Sequence, residues 1–170
     1  MYPIDSKIGS FPMVKRIEMG NELFTEGKEP EEVVEALTAR TSNSKLSFIP
    51  AGLGQLHKSG RVLGTQAFLS NLLNIKVLIS FENGKAVMIA KVRSVKREKK
   101  HVTSLLRTDM ENGSVPEVAV IHCHNAHDAE IWKNELLKEF PTLHVQVVSL
   151  SACVAVHAGE GTTGLSWDTY

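Results

Sequence analysis

The glycine-rich run near the carboxyl terminus is the first stretch whose residue types could do chemistry. The segment from Gly159 to Ser166 reads GEGTTGLS and approaches the phosphate-binding pattern G-x-x-x-x-G-K-[ST]. Leu165 stands where the lysine that reaches the terminal phosphates should be. The run also follows several predicted strands and leaves no room for a long helix after it. Residue types and position therefore both argue against a nucleotide phosphate loop.

His157 comes just before this run and is the candidate anion donor. It ends the apolar segment CVAVH, which we interpret as a strand, and it enters a loop where Gly159, Gly161 and Gly164 allow close approach of backbone or ligand. A histidine in this place can be a structural residue with satisfied hydrogen bonds. Alternatively, its ring N–H and neighbouring amides receive an anion such as a carboxylate, which needs donors where the surrounding walls are apolar.

A second cluster, IHCHNAHDAE, contains side chains that bind metals in other proteins. Its ligand types are His122, Cys123, His124, His127 and Asp128. Alternation along the predicted strand places Cys123 on the face opposite to its two histidine neighbours. Asn125 or His124 would also cap a helix that begins near Ala126. Because no second ligand pair with zinc-type spacing occurs elsewhere, a metal-dependent enzyme around His122 to Asp128 is only the third alternative. The sequence predicts no cofactor.

A third stretch, KVRSVKREKKH, concentrates positive charge in a chain that has 19 basic and 19 acidic residues. Its cations are Lys91, Arg93, Lys96, Arg97, Lys99 and Lys100. Such a run is either the solvated face of a helix or a docking face for an acidic partner or a phosphate-bearing ligand. The zero net charge argues against non-specific nucleic-acid binding, which needs a surplus of Lys and Arg.

The elements that must position these residues alternate between helix and strand. We predict the end of a strand at 2–6, helices beginning at Pro12 and Pro30, a helix over 95–106, and a helix that begins near Ala126. Short strands are predicted at LSFIP, EVAVIHC, HVQVVSL and LSW, and a hairpin turns at Asn83-Gly84. Gly52, Gly54, Gly60 and Gly64 punctuate two further short helices. This pattern predicts an α/β or α+β fold.

Two helices carry explicit predictions about which face is buried. In the first helix, Met13, Ile17, Gly20 and Phe24 fall on one face at helical spacing. In the helix that begins near Ala126, the stripe consists of Ala129, Trp132, Leu136 and Phe140. These stripes are expected to pack against the sheet.

Cysteine usage and hydropathy indicate the compartment. Cys123 and Cys153 lack C-x-x-C spacing and lie in apolar runs, which favours reduced core cysteines. The amino terminus shows no signal-peptide pattern, and the longest apolar segment is too short and too polar to span a bilayer. The sequence therefore predicts a cytoplasmic protein without stable membrane insertion.

Four segments in register identify a family resemblance. IDS near the start, LHKSGRV, LLNIKVLISFENGKAVMIAKVR and VHAGEGTTGL together resemble the DegV family of bacterial fatty-acid-binding proteins, the lipid-carrying component of fatty acid kinase. The resemblance implies a carboxy-terminal α/β domain with a mixed, largely antiparallel sheet at 45–170. It also implies a remnant of the amino-terminal parallel-sheet domain at 1–44. The chain looks like the later three fifths of such a protein.

The resemblance also implies a function and the residues that carry it. It predicts a non-enzymatic protein that holds a long-chain fatty acid in an apolar tunnel and presents its carboxylate to a kinase catalytic subunit for phospholipid synthesis. His157, with Gly159 and Gly161, corresponds to the carboxylate-binding motif. Arg61 and Arg93 correspond to cations that face the kinase and the phosphoryl end of the ligand. The alternative is a ligand-free interaction or regulatory module on the same fold.

Two departures from the family motif qualify the implied site. Ala158 and Glu160 replace the Thr and Pro of the usual H-T-G-P-G-like motif, and a charge at Glu160 would weaken carboxylate binding unless it faces solvent. The segment that supplies carboxylate-binding hydroxyls in the family has no counterpart here. We therefore expect acyl binding to need a second chain that completes the tunnel, or to be lost, and we expect the exposed apolar wall to favour homo-oligomers.

Overall fold

The structure is a computed structural model that describes residues 1–60, 62–63, 76–92, 94–113 and 115–169. The helices are α1 (Phe11–Thr25), α2 (Pro30–Ala39), α3 (Leu53–Ser59), α4 (Val95–Asn112), α5 (Ala126–Glu139) and α6 (Ala152–Ala158), with a 3-10 turn at Arg40–Asn43. The strands are β1 (Ser44–Ile49), β2 (Val62–Leu63), β3 (Lys76–Glu82), β4 (Lys85–Val92), β5 (Glu117–His122), β6 (His144–Ser149) and β7 (Thr163–Asp168).

Local sequence signals account for where the helices and the hairpin begin. Pro30 occupies the first turn of α2, where its missing N–H costs nothing, and Glu29 and Glu32 form a reciprocal capping box. Ser94 caps α4 by accepting a hydrogen bond from a backbone amide in the first turn. The β3–β4 hairpin turns at Asn83-Gly84, whose φ angles of 49° and 79° are both positive, as a type I′ turn requires.

The strands form one mixed sheet across the described ranges, in the order β2-β4-β3-β1-β7-β5-β6. The pairs β2–β4 and β5–β6 are parallel, whereas β4–β3, β3–β1, β1–β7 and β7–β5 are antiparallel. This largely antiparallel sheet with flanking helices confirms the predicted fold class. The parallel pair β5–β6 is joined by α5, the usual crossover for parallel strands.

Helices cover both faces of the sheet. Alternate residues of β5 enter different cores: Val118 and Val120 belong to one, Ala119 and Ile121 to the other. The first core lies under α4 and α5 and includes Val102, Leu106, Trp132, Leu136, Leu165 and Trp167. The second lies under α1, α3 and α6 and includes Phe11, Leu46, Phe48, Leu56, Ile79 and Ala158.

Three predicted features are wrong. Residues 2–6 contain no strand, and the segment CVAVH forms the helix α6 instead of a strand. In α1 the buried residues are Phe11, Pro12, Arg16 and Gly20, whereas Met13, Ile17 and Phe24 of the predicted stripe are exposed. The stripe has helical spacing, but the sheet approaches α1 from another side. The predicted α5 stripe is confirmed at Ala129, Trp132 and Leu136.

The segment before β1 is tied to the rest of the fold. Ile8 and Phe11 belong to the core that contains Leu46 and Phe48. The Arg16 guanidinium, which is 6% exposed, donates to the carbonyl of residue 6 at 2.6 Å and to the Ser44 hydroxyl at 2.7 Å. The predicted boundary between 1–44 and 45–170 stays a prediction, and in this structure both parts share one apolar core.

Candidate functional site

An apolar cavity of about 610 Å³ lies between the sheet, α3 and α6. Its apolar wall includes Leu46, Phe48, Leu56, Phe81, Ala86 and Val154. Phe48 and Phe81 stand next to each other on neighbouring strands, with ring centroids 6.3 Å apart. Val154 is 38% exposed, so the cavity reaches solvent beside α6. A volume of this size lies in the range of pockets that hold small organic ligands.

The position of α6 follows from the sheet topology. β6 and β7 flank β5, and His122 at the carboxyl end of β5 pairs with Thr163, where β7 begins. The connection must therefore cross two strand spacings, about 10 Å. A helix of 7 residues spans that distance at about 1.5 Å per residue. Gly159 ends the helix with a φ of 89°, a conformation that favours glycine.

His157 lies in the last turn of α6 and lines the cavity. Its ring is half-buried, and its Nδ1 atom is buried without a hydrogen-bond partner among the described residues. Leaving a buried polar group unsatisfied costs about 1 to 3 kcal/mol, so native structures usually supply a partner. The unpartnered nitrogen therefore marks a place on the cavity wall where a ligand atom could accept or donate a hydrogen bond.

Three polar side chains on the cavity wall were missed by the sequence interpretation: Ser10, Lys85 and Cys153. Ser10 immediately precedes α1, and its hydroxyl makes no hydrogen bond in the part of the chain that the structure describes. Cys153 lies one helical turn before His157 and is an exposed free thiol, contrary to its predicted core position. Cys123 is buried and free, as predicted. The spacing of Cys153 and His157 by four residues would have indicated a shared face had the segment been interpreted as a helix.

Gly159 and Gly161 shape the turn that follows His157. The Gly159 amide donates to the Ala155 carbonyl at 2.8 Å, and the Gly161 amide donates to the Cys123 carbonyl at 2.8 Å. Both glycines have a φ of 89°. Because their amides are bonded within the protein, we assign them to the shape of the loop, and direct binding of a carboxylate by either glycine stays a prediction.

Glu160 points away from the apolar cavity. Its side chain is 77% exposed, and a carboxylate oxygen lies 3.7 Å from Nε2 of His124. The charge that would have opposed a carboxylate next to His157 is therefore in solvent, on the other side of the loop. The departure from the family motif at this position does not place a negative charge on the cavity wall.

Only some of the predicted docking cations lie within the described residues. Arg61 and Arg93 lie outside the described residues. In α4, Lys96, Arg97 and Lys100 are exposed, and the Lys99 ammonium lies 5.0 Å from the Trp132 ring centroid. Lys96, Arg97 and Lys100 therefore lie on a solvated face of α4, and docking of a partner by the basic run stays a prediction.

The IHCHNAHDAE cluster runs from the end of β5 into the start of α5. Within the described ranges, no three His, Cys, Asp or Glu side chains are grouped to hold a metal ion. Cys123 is buried in a core and also lines, with His122 and His124, a cleft at the end of β5. The described helices also include none with the length and apolarity to span a bilayer.

In sequence, the chain is similar to known proteins of one family. A family model described as "Uncharacterised protein, DegV family" matches residues 1–169. A fatty acid-binding protein from Thermotoga maritima is 30% identical over 168 residues, covering 96% of this chain and 58% of the relative.

Two crystal structures superimpose closely on this chain. A fatty acid binding DegV family protein from Streptococcus agalactiae gives a TM-score of 0.90 at 26% identity, covering 100% of this chain and 60% of that one. DegV of Bacillus subtilis, a fatty acid binding protein, gives 0.86 at 28% identity, covering 99% and 60%. This chain thus spans 58% to 60% of the length of the three relatives. By sequence and by fold, the chain belongs to the DegV family.

Proposed function

We propose that this chain is a fatty-acid-binding protein whose cavity between the sheet, α3 and α6 holds the acyl chain. The observation that carries the proposal is the buried, unpartnered Nδ1 of His157 on a largely apolar wall. A carboxylate oxygen that accepts a hydrogen bond from this nitrogen would satisfy both groups at once. In this proposal the chain binds its ligand and does not convert it.

The apolar wall supplies the affinity for the tail. Each buried CH₂ group of an acyl chain contributes about 0.8 kcal/mol, so a long chain gains most where both sides of it are covered. Phe48, Phe81 and Leu56 cover one side, and α6 covers the other. The opening beside Val154 is where a further covering surface would increase the buried length, consistent with a cavity completed by a second chain.

Ser10 is the hydroxyl that we assign to the head group together with His157. Both residues line the same cavity, and the Ser10 hydroxyl has no partner in the described part of the chain. Hydrogen bonds to an ionised carboxylate contribute about 1.5 to 3 kcal/mol each. In this proposal Ser10 supplies a hydroxyl to the carboxylate beside His157.

We further propose that the bound carboxylate is presented to a fatty acid kinase in the cytoplasm. The exposed cations of α4, with Arg61 and Arg93, would contact the kinase and the phosphoryl group. Electrostatic docking of this kind sets the association rate and its salt dependence more than it sets ligand affinity. Changing Arg61 and Arg93 to Ala should weaken kinase association while acyl binding is retained, and equal loss of both would contradict the assignment.

The acyl-binding proposal is tested by lipid extraction and by direct binding. Fatty acid should co-purify with the protein and be identified by mass spectrometry. His157→Phe, which keeps an aromatic ring but removes the donor, should lower fatty-acid affinity about 10-fold to 100-fold. Ser10→Ala should lower it by a comparable factor.

Two further variants separate head-group binding from tail binding and from general damage. Val154→Trp narrows the cavity mouth and should reduce binding of long chains more than short ones. His101→Phe changes an exposed histidine of α4 far from the cavity wall and should leave affinity unchanged. Protein that carries no lipid and takes up none on incubation would contradict the proposal.

The second candidate function is a ligand-free interaction module, and exposed apolar residues favour it. Ile17 is 66% exposed, Phe24 54% and Val156 60%, on helices that border the cavity side of the sheet. Surfaces of this kind support association with a partner or with a second copy. Clean protein that sedimented as an oligomer would support this function over acyl binding.

A further inference from the structure

A second cleft, of about 800 Å³, lies at the carboxyl ends of β5 and β6 and is lined by the histidine cluster that the acyl cavity does not use. In open sheets with parallel strands, ligands bind outside the carboxyl ends of the strands. His122, His124, His127 and Glu160 line the cleft. It is therefore a separate candidate site with its own polar groups.

His122 supplies a hydrogen-bond donor to this cleft. Its side chain is only 8% exposed, and its Nδ1 accepts a hydrogen bond from the backbone amide of Asn125 at 3.2 Å. A neutral imidazole whose Nδ1 accepts carries its proton on Nε2, which makes Nε2 a donor. That donor has no partner in the described part of the chain. A nearly buried N–H on the wall of a cleft indicates a ligand that accepts hydrogen bonds.

The same tautomer argues against a metal ion. A metal binds the ring nitrogen that has a free lone pair, and in His122 the lone pair of Nδ1 already receives the Asn125 amide. Nε2 would have to lose its proton to become a ligand. The ring is therefore arranged to donate to an anion.

The amino terminus of α5 opens into the same cleft. The helix has 14 residues and begins at Ala126, and no side chain caps it. The Asn125 side chain, which stands in the capping position, instead donates to Asp128 at 3.0 Å and to the Gly161 carbonyl at 3.1 Å. Amides of the first turn are thus left for a ligand, and the helix dipole adds a positive potential there.

Two carboxylates lower the positive electrostatic potential of the cleft. Asp128 is held by Asn125, and Glu160 lies 3.7 Å from His124 in solvent. The other titratable groups that face the cleft are three histidines and Cys123, a thiol whose pKa is raised by burial. Removing the charge of Glu160 is therefore expected to strengthen anion binding in the cleft.

Helix α6 separates this cleft from the acyl cavity. Ala152 and Ala155 face the cleft, whereas Val154 and His157 face the cavity. The two spaces share only the side chain of Leu150 among their described lining residues. A ligand in one space touches the helix that forms the wall of the other.

We infer that the cleft at the carboxyl ends of β5 and β6 is a second ligand site, which binds a small tetrahedral oxyanion of the phosphate type through His122 Nε2 and the first amides of α5. A tetrahedral oxyanion presents oxygens in several directions, which suits donors that arrive from a ring and from a helix end. A carboxylate presents two oxygens in one plane and engages fewer of these donors.

The test is an anion titration followed by the histidine ring resonances in NMR. Inorganic sulfate is the first probe because it keeps a single charge state, the doubly charged anion, around neutral pH. The His122 resonances should shift saturably as sulfate is added. Inorganic phosphate should compete for the same site, and acetate at equal concentration should not.

Three variants test whether the anion binds beside His122. His122→Phe should weaken sulfate binding about tenfold or more, the loss expected for one hydrogen bond to a charged group. Glu160→Gln, at an exposed position, should strengthen it severalfold, and His101→Phe on α4 should not change it. Sulfate binding that persists unchanged in both His122→Phe and Glu160→Gln would place the anion on the basic face of α4 and overturn the inference. Acetate binding as tight as sulfate would overturn the choice of a tetrahedral ligand.

This site is independent of the proposed acyl binding. His122→Phe should retain fatty-acid affinity, because the ring does not line the acyl cavity. His157→Phe should retain sulfate binding for the corresponding reason. Failure of one proposal would therefore leave the other measurable on the same protein.

Discussion

Glu98 lies on the buried side of α4, and its carboxylate has no hydrogen-bond partner among the described residues. The residue is 0% exposed, and both of its carboxylate oxygens are unsatisfied. Burial raises the pKa of Glu98 from its ordinary 4.5 to about 7, while the charge of Lys76 acts in the opposite direction. A buried carboxylate with this pKa is protonated below neutral pH and charged above it.

The raised pKa makes stability depend on pH in a defined direction. The folded protein holds the Glu98 proton more tightly than the unfolded chain, so folding is favoured at acid pH and loses stability as the pH rises from about 4.5 to about 7. One pKa unit corresponds to about 1.4 kcal/mol, so the full loss at pH 8 is about 3 kcal/mol. Above the folded pKa no further loss occurs, because the residue is ionised in both states.

Glu98→Gln removes the titration and keeps the shape of the side chain. At pH 5, where the folded wild-type side chain is neutral, the variant should be more stable by no more than about 1 kcal/mol. At pH 8 the variant should be more stable by about 3 kcal/mol. Urea unfolding of both proteins between pH 5 and pH 8 measures the difference between their free energies of unfolding. The titration of all other groups is common to both proteins and cancels in this difference.

The matched control is Glu111→Gln, an exposed glutamate on the same helix. Its stability difference from wild type should not change over this pH range. A Glu98→Gln difference that stayed constant from pH 5 to pH 8 would refute the reasoning, because it would mean that Glu98 titrates alike in the folded and unfolded chain.

Two substitutions test the packing of β7. A Cβ atom at Gly164 would lie 2.3 Å from the Ser47 carbonyl oxygen, so Gly164→Ala should cost about 1 to 3 kcal/mol of unfolding free energy. The control is Gly52→Ala, which should cost little because the space around Gly52 is open. Trp167→Phe removes the indole N–H that donates to Asp109 at 2.8 Å and should cost about 2 kcal/mol in urea unfolding. If Gly164→Ala were as stable as Gly52→Ala, or if Trp167→Phe lost nothing, the strand contacts described here would be wrong.

Features determined by near neighbours in the chain could be predicted from the sequence. The Asn83-Gly84 pair prescribes a type I′ turn because few other residues accept two successive positive φ angles. The stripe of α5 was predicted because Ala129, Trp132 and Leu136 repeat at the helical period beside a strong strand. The position of His157 before the glycine-rich run made it a candidate anion donor, and the family resemblance, which rested on short motifs in order, specified a fatty-acid carboxylate as the anion.

Features determined by the sheet could not be predicted. CVAVH has strand-like residue types, yet it is a helix because the chain must cross over the end of β5 between β6 and β7. The apolar stripe of α1 has a helical period, but only contact with the sheet decides which side is buried. Neither contact is encoded within the segment itself.

The candidate sites divide in the same way. The sequence alone identified His157 and the histidine cluster as the side chains able to do chemistry, because their types and order are local properties. Only the tertiary structure placed Ser10 on the same wall as His157, turned Glu160 into solvent and fixed the tautomer of His122 through the Asn125 amide. Each of these features depends on contacts between distant parts of the chain or at the end of a strand. These contacts determine which groups are buried and which form hydrogen bonds.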